Sequence, residues 1–121
     1  MPFDPASLIY DAKGLIPCIA QDHASGEVLM FAFMSQQSLT QTLATGRVTY
    51  WSRSRQALWV KGETSGHRQT LVEMRVDCDR DAVLALVRQE GPACHTGRRS
   101  CFYTAIRDGA EVEILQPAQS G

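Results

Sequence analysis

Short apolar segments of strand length, separated by turn residues, constrain the fold of this chain more than any other feature of its sequence. Residues 16–21 and 28–34 are two such segments, and the sequence DHASG between them favours a turn, so the pair predicts a β-hairpin. A continuous apolar run at 82–87 fits either a strand or a helix. The chain is therefore predicted to be dominated by strands, the others lying at residues 48–52, 58–61, 70–76, 100–107 and 111–115.

One helix is predicted at residues 36–45. Ser35 is of the residue type that caps helix N-termini, and Gly46 can end the helix in a left-handed conformation. Leu39 and Leu43 lie one turn apart and predict one buried stripe. Together with the strands, the helix predicts a β-rich α+β fold, a barrel-like rolled sheet with one or two helices.

The length of 121 residues suits a single domain, with residues 1–14 as a loosely structured lead-in and 116–121 as a tail. A net charge of −1 gives no basic field that would attract nucleic acid, so none is expected as a partner. The N-terminus lacks the basic and apolar regions of a signal peptide, and no apolar run reaches the length of a membrane span. We therefore expect a cytoplasmic protein whose thiols stay reduced.

Three aspartates alternate with other residues in the sequence DCDRD at 77–81. If this segment is extended, Asp77, Asp79 and Asp81 share one face, because side chains alternate along a strand. Carboxylates so close together repel one another without a cation, and oxygen ligands suit Mg²⁺ or Ca²⁺. A solvated strand end with Arg80 as an internal partner explains the spacing equally well, so both interpretations stay open.

The same alternation places Cys78 on the face opposite to the aspartates. Cys78 is therefore not expected to bind the same ion as they do. This predicts either two separate sites or one site shared across an interface.

Cys94 and Cys101 flank a loop that contains one glycine and two arginines. Thiolate is a soft ligand that favours zinc, and nearby cations lower the pKa of a thiol. With Cys78 the loop offers three sulfur ligands, which leaves a fourth position for water, as in catalytic zinc sites. The alternative is a pair of buried cysteines that act as small apolar side chains. His95 fits a general acid or base, a fourth ligand, or a loop histidine bonded to backbone.

Aromatic and basic residues are interleaved between positions 50 and 61. A tryptophan face can stack on a base, and arginine binds phosphate through two N–H groups. The loop that follows, ETSGH at 63–67, offers hydroxyls and free backbone N–H groups that suit phosphate. Each residue alone is better explained by the core, by solvation or by an ordinary turn. Their combination predicts a nucleotide-binding surface that comprises Trp51, Arg53, Arg55, Lys61, Thr64, Ser65 and His67.

Several long blocks of the sequence resemble one family, the phosphoribosyl-AMP cyclohydrolases, over roughly residues 14–107. The block VLMFAFMS at 28–35 is similar to an early block of that family. Four further segments resemble the signature blocks of the family: YWSRSR at 50–55, LWVKGETSGH at 58–67, DCDRD at 77–81 and GPACHTGRRSCFY at 91–103.

The resemblance implies the third step of histidine biosynthesis. Members of the family hydrolyse the bond between ring nitrogen 1 and carbon 6 of the adenine in 1-(5-phosphoribosyl)-AMP. The product is the phosphoribosyl-formimino-aminoimidazole carboxamide ribotide. The resemblance further implies a metal-activated water as nucleophile, with His95 moving a proton from that water to the ring nitrogen.

The resemblance also implies the metals and the assembly. One zinc ion per subunit would be bound by Cys78, Cys94 and Cys101, in an obligate-type homodimer where Cys78 reaches the zinc of the partner. Mg²⁺ would be bound by Asp77, Asp79 and Asp81. The two phosphates of the substrate would be held by Mg²⁺ and by Arg53, Arg55, Lys61, Arg98 and Arg99.

Two other classes of protein compete with this interpretation. A zinc-dependent purine or nucleotide deaminase also attacks carbon 6 of adenine, but no histidine here is followed two residues later by glutamate, as its signature requires. A non-catalytic zinc-binding module would surround the ion with four protein ligands and leave no position for water.

Overall fold

The sheet that dominates the fold has six strands, and the computed structural model describes residues 1–117 of the chain. One α-helix, α1 (Gln36–Thr45), and a short 3-10 helix at Pro5–Ser7 accompany the sheet. A separate two-stranded sheet consists of β7 (Thr104–Arg107) and β8 (Ala110–Glu113). The six strands are β1 (Leu15–Asp22), β2 (Val28–Ser35), β3 (Thr49–Ser52), β4 (Ala57–Val60), β5 (Gln69–Val76) and β6 (Val83–Gln89).

The large sheet is curled into a half-barrel with the strand order β4-β3-β2-β1-β6-β5. All neighbouring strands are antiparallel except β1 and β6, which run parallel. The curl brings the start of β5 to the segment before β3, where Arg47 bridges Thr70 and the N–H of Val48 donates to Gln69 at 3.0 Å. The predicted β-rich α+β fold with a rolled sheet is confirmed.

The concave side of the curled sheet holds the core. On β1 the buried residues Ile16, Cys18 and Ala20 alternate with more exposed ones, as the two-residue period of a strand requires. Val83, Ala85 and Val87 repeat the pattern on β6. Cys18 is one of these core residues, and burial raises the pKa of its thiol to about 12, so it acts as a small apolar side chain.

The helix α1 has the predicted bounds and caps. The Ser35 side chain accepts from the N–H of Ser38, and Gly46 ends the helix with a left-handed φ of 76°. The predicted burial of Leu43 is wrong, since 40% of this residue is exposed. Thr42 is buried instead, because its hydroxyl accepts from the N–H of Thr49 at 2.9 Å and so fastens the helix to β3.

Three other segments differ from the predictions or complete them. The ambiguous run at 82–87 is a strand, while residues 100–103 are not part of β7. The lead-in contains little beyond the 3-10 turn, and of the predicted tail only residues 116–117 lie within the described residues. Among the helices of residues 1–117, none has the length and apolar character needed to cross a membrane.

Candidate active site

The loop that contains Cys94 and Cys101 is folded back on itself. The N–H of Cys94 donates to Arg98 at 3.0 Å, and the N–H of Gly97 donates to Cys94 at 3.0 Å. The N–H of Cys101 donates to Leu29 at 2.7 Å, which attaches the end of the loop to β2. The thiols of Cys94 and Cys101 are thereby close enough to affect each other's pKa.

The two neighbouring thiols differ in how readily they ionise. Burial opposes the ionisation of Cys94, but hydrogen bonds from Thr96 and Cys101 outweigh it and hold the pKa of Cys94 below its usual value. The hydroxyl of Thr96 lies 3.1 Å from the Cys94 sulfur. Burial and the charge of Cys94 raise the pKa of Cys101 to about 11. Cys94 therefore ionises more easily than Cys101, and a cation would stabilise the second thiolate.

Cys78 lies apart from the other two thiols, exposed in the turn between β5 and β6. Within residues 1–117, only Asp77, Asp79 and Asp81 form a group of three or more metal-ligating side chains whose donor atoms lie within 4.8 Å of one another. One copy of the chain thus brings together two of the three predicted sulfur ligands.

The three aspartates come together through a turn and not along a strand, so the condition of an extended backbone at 77–81 is not met. Arg80 has a left-handed φ of 66°, and a carboxylate oxygen of Asp77 accepts from the N–H of Asp81 at 3.0 Å. The chain reverses here because β5 and β6 are antiparallel neighbours. Strand alternation therefore no longer explains why Cys78 and the aspartates would serve different ions.

The carboxyl groups of this cluster share protons. Hydrogen bonds with Asp79 and Asp77 raise the pKa of Asp81 to about 6. Desolvation acts against ionisation of Asp77, but hydrogen bonds from Asp79, Asp81 and the backbone keep its pKa below the usual range. Such mutual repulsion is what a divalent cation would relieve.

A cavity of about 280 Å³ lies beside Cys94. His95 is exposed at this cavity, and His67 faces it from the ETSGH loop. The His67 ring packs so closely on Gly91 that a Cβ at that glycine would lie 2.7 Å from the ring. The cavity is lined by Lys61, Ser65, His67, Pro92, Ala93, Cys94, His95 and Gly97.

A neighbouring cavity of about 430 Å³ adjoins the first through Lys61 and Ser65. Arg55, Trp59 and Thr64 also line it. The Lys61 ammonium donates to the carbonyl of Ala93 at 2.6 Å and lies 5.6 Å from the Trp59 ring. Burial lowers the pKa of Lys61, while the nearby thiols of Cys101 and Cys94 act in the opposite direction.

The remaining predicted nucleotide-binding residues, Trp51, Arg53, Arg98 and Arg99, line neither of the two cavities. Trp51 is half-buried on β3, and the Arg53 guanidinium lies 4.2 Å above the Phe33 ring. Arg98 donates to Leu115 at 3.0 Å, pairs with Glu113 and stacks on the Tyr103 ring at 3.9 Å. Arg99 pairs with Asp22 and Glu27 on the β1–β2 turn.

A buried polar network behind the cavity was not predicted from the sequence. The Tyr50 hydroxyl donates to Gln69 at 2.6 Å, and Gln69 donates to Gln89 at 2.9 Å. The amide of Gln89 then donates to the carbonyl of His67 at 3.3 Å and to that of Glu90 at 3.2 Å. The network joins the two loops that border the cavity. The only signal of the network in the sequence is a glutamine at the start of β5, Gln69, and another at the end of β6, Gln89.

Comparison with known proteins bears on what this arrangement does. The family model of phosphoribosyl-AMP cyclohydrolase matches residues 30–103. The phosphoribosyl-AMP cyclohydrolase of Dinoroseobacter shibae is 75% identical over 117 residues, which cover 97% of this chain and 98% of the relative. That of Cereibacter sphaeroides is 70% identical with the same coverage. That of Paracoccus denitrificans is 72% identical over 115 residues, 95% of each chain. The chain therefore belongs to the phosphoribosyl-AMP cyclohydrolase family.

Proposed function

We propose that this chain hydrolyses the bond between ring nitrogen 1 and carbon 6 of the adenine in 1-(5-phosphoribosyl)-AMP, with zinc and magnesium as cofactors. The product is the phosphoribosyl-formimino-aminoimidazole carboxamide ribotide of histidine biosynthesis. The activity follows from membership of the family. The observation that carries the proposed chemistry is a pair of neighbouring thiols, Cys94 and Cys101, of which Cys94 lines a cavity bordered by two histidines.

The thiol pair fits zinc better than other common metals. Two neighbouring thiols form a soft ligand set. Burial and then the negative charge of Cys94 raise the pKa of Cys101, and a bound cation would oppose both effects. Zinc held there supplies a Lewis acid that makes water a nucleophile at neutral pH. The residues around the cavity must then orient the purine, exclude competing water and move protons.

We assign the third sulfur ligand to Cys78 of a second copy of the chain, so that the active species is a homodimer. Cys78 is exposed and lies apart from the other two thiols in its own copy, which supports a contribution to another subunit. Large apolar side chains on the surface support an extensive interface. They include Ile19, Phe31, Val72, Phe102 and Ile106, each more than one third exposed.

Mg²⁺ is assigned to Asp77, Asp79 and Asp81. Their donor atoms already lie within 4.8 Å of one another, and carboxylate oxygens are the ligands that this ion prefers. The ion would replace the proton that Asp81 holds up to a pKa of about 6. A bound Mg²⁺ would also contribute positive charge for a substrate phosphate.

His95 is proposed as the proton carrier. It is exposed at the cavity and directly follows Cys94, so its imidazole can reach both a nucleophilic water and the purine. As oxygen bonds to carbon 6 and the bond to ring nitrogen 1 breaks, one proton of the water passes through His95 to that nitrogen. The other proton of the water goes to the exocyclic nitrogen, which changes from an imine into the NH2 of the carboxamide. The oxygen remains in the product as the carboxamide oxygen, so the reaction consumes one water.

The second cavity is proposed to hold a phosphoribosyl group. Arg55, Thr64 and Ser65 line it, and they combine a guanidinium with two hydroxyls. Lys61 lies between the two cavities, and its ammonium retains donors beyond the one used on Ala93. Trp51 and Arg53 line neither cavity, and their proposed contact with the base or a phosphate rests on the ring face and the guanidinium that they offer. His67 is proposed to contact the purine, since its ring faces the first cavity.

The direct test is an absorbance assay of purified protein with 1-(5-phosphoribosyl)-AMP. We expect ring opening by the protein as isolated, loss of turnover with a zinc chelator, and recovery on adding zinc with Mg²⁺. Circular dichroism of the chelated protein controls for unfolding. Full turnover by protein shown to contain no zinc would refute the metal assignment. Release of ammonia from the substrate would instead identify a deaminase.

A further inference from the structure

We infer that Arg99 is a positioning residue, which holds Cys94 and Cys101 in their metal-binding arrangement by clamping their loop to the β1–β2 turn. This inference rests on the proposed zinc site. It differs from the phosphate-binding role that the family resemblance implies for Arg99. It follows from what the guanidinium contacts on one side and what the backbone of Arg99 contacts on the other.

The guanidinium binds two carboxylates of the turn that joins β1 to β2. Its Nη2 donates to Asp22 at 2.9 Å, and its Nε donates to Glu27 at 3.1 Å. The Asp22 side chain is only 10% exposed and that of Arg99 is 42% exposed, so their ion pair is partly shielded from water.

Asp22 is fixed in place independently of Arg99. Its other carboxylate oxygen accepts from the N–H of Ser25 at 2.8 Å and from that of Ala24 at 3.2 Å. These hydrogen bonds, that from Ser25 above all, lower the pKa of Asp22, and the charge of Arg99 lowers it further. The turn therefore presents a fixed, ionised acceptor to which the cysteine loop is anchored.

The backbone of Arg99 is central to the cysteine loop. Its carbonyl accepts from the N–H of Ala93 at 3.1 Å, directly before Cys94. On its other side, the Ser100 hydroxyl donates to Val28 at 2.7 Å and the N–H of Cys101 donates to Leu29. Arg99 thus connects the segment that carries one thiol with the segment that carries the other.

The physical consequence concerns conformational freedom. A zinc ion needs both sulfur atoms at defined positions, and any freedom that the loop has without the ion must be lost on binding. Residues 95–99 lie between the two anchored ends, and Gly97 at their centre has a φ of 85°. The ion pairs of Arg99 with Asp22 and Glu27 remove part of that freedom before the ion binds. Loss of these ion pairs should therefore weaken zinc binding more than it destabilises the fold.

The test compares Arg99→Met with Arg75→Met, which removes a guanidinium from an exposed pair with Glu73 on β5. Zinc affinity is measured by competition with a chromophoric chelator, and the thermal midpoint of each zinc-free protein is recorded. We expect Arg99→Met to bind zinc about 10-fold or more weakly, as is typical when supporting groups around a metal site are removed. Arg75→Met should bind zinc as the wild type does.

Further variants make the test specific to the ion pair between Arg99 and Asp22. Asp22→Asn should weaken zinc binding in the same direction, and combining it with Arg99→Met should add little, because both changes remove one interaction. Should Arg99→Met fail to fold, Arg99→Lys provides the comparison, since it keeps the charge but cannot engage both carboxylates in the same way.

If Arg99→Met binds zinc with wild-type affinity, the inference is wrong. If that variant also has a raised KM for the nucleotide, Arg99 binds a substrate phosphate instead. Full additivity of the Asp22 and Arg99 changes would also overturn it. A wild-type protein that binds no zinc would refute the proposed function itself, which is a distinguishable result because it is seen before any variant is made.

Discussion

At the scale of single residues, the site depends on side chains whose charge is set by their neighbours. Hydrogen bonds from Thr96 and Cys101 lower the pKa of Cys94 against the effect of burial, while burial and the charge of Cys94 raise the pKa of Cys101. The sequence could identify these cysteines as candidate ligands from residue type and from the resemblance. It could not show that Arg98 and Arg99 are engaged by acceptors of their own chain, because those acceptors are distant in sequence.

His95→Ala should retain zinc but lose most of kcat, since the variant keeps the sulfur ligands and removes the proposed proton carrier. General acid-base groups of this kind contribute about 10²–10⁴-fold to a rate. Metal analysis and steady-state kinetics measure the two effects separately, and His23→Ala, at an exposed turn position, is the matched control. Unchanged kcat in His95→Ala would exclude the proton-transfer role.

Asp22 predicts a pH dependence of stability. Hydrogen bonds from Ser25, followed by those from Ala24 and the charge of Arg99, lower its pKa in the folded state. Its stabilising contribution is therefore fully present above the unfolded-state pKa of about 4 and is lost as the pH falls through the lower folded-state value. Thermal midpoints of zinc-free wild type and Asp22→Asn should differ at pH 6 and converge towards pH 3. A gap that stays constant over this range would contradict the assignment.

At the scale of elements, local signals predicted local structure. The β1–β2 hairpin and the helix were predictable because caps, turn residues and apolar periods act over a few neighbouring residues. The parallel pairing of β1 with β6 and the turn at 77–82 were not, because they depend on how distant strands meet. Leu43 was misplaced for the same reason: the face of α1 that is buried depends on where β3 lies.

The buried network gives a stability prediction at this scale. Gln69→Leu should destabilise the protein by roughly 2–4 kcal/mol, because it leaves the Tyr50 hydroxyl and the Gln89 amide without their partners in the core. Urea denaturation measures the loss, and Gln37→Leu on the exposed face of α1 is the control, with an expected change of about 0.5 kcal/mol or less. Equal stability of Gln69→Leu and wild type would show that the network contributes nothing.

At the scale of the whole molecule, the fold explains why one copy of the chain would not complete the proposed zinc site. The cysteine loop is attached to β2, whereas Cys78 is in the β5–β6 turn, separated from β2 in the sheet by β1. The small β7–β8 sheet also supports the proposed contact with a second copy. A lone two-stranded hairpin is marginally stable in water, and Ile106 on this hairpin is 80% exposed. The sequence predicted a shared site through the resemblance, while the strand-alternation argument for it failed.

Coexpression of two inactive variants, Cys78→Ser and Cys94→Ser, tests the shared site most directly. In a mixed dimer, Cys78 of one subunit and the Cys94–Cys101 pair of the other are both intact, so one of the two sites is complete. Random pairing predicts about a quarter of wild-type activity and zinc content. Coexpression of Cys94→Ser with Cys101→Ser, whose changes fall in the same half-site, should restore nothing. If the first mixture is no more active than either variant alone, Cys78 does not complete the zinc site of a partner, and the account of a zinc centre built by two copies is contradicted.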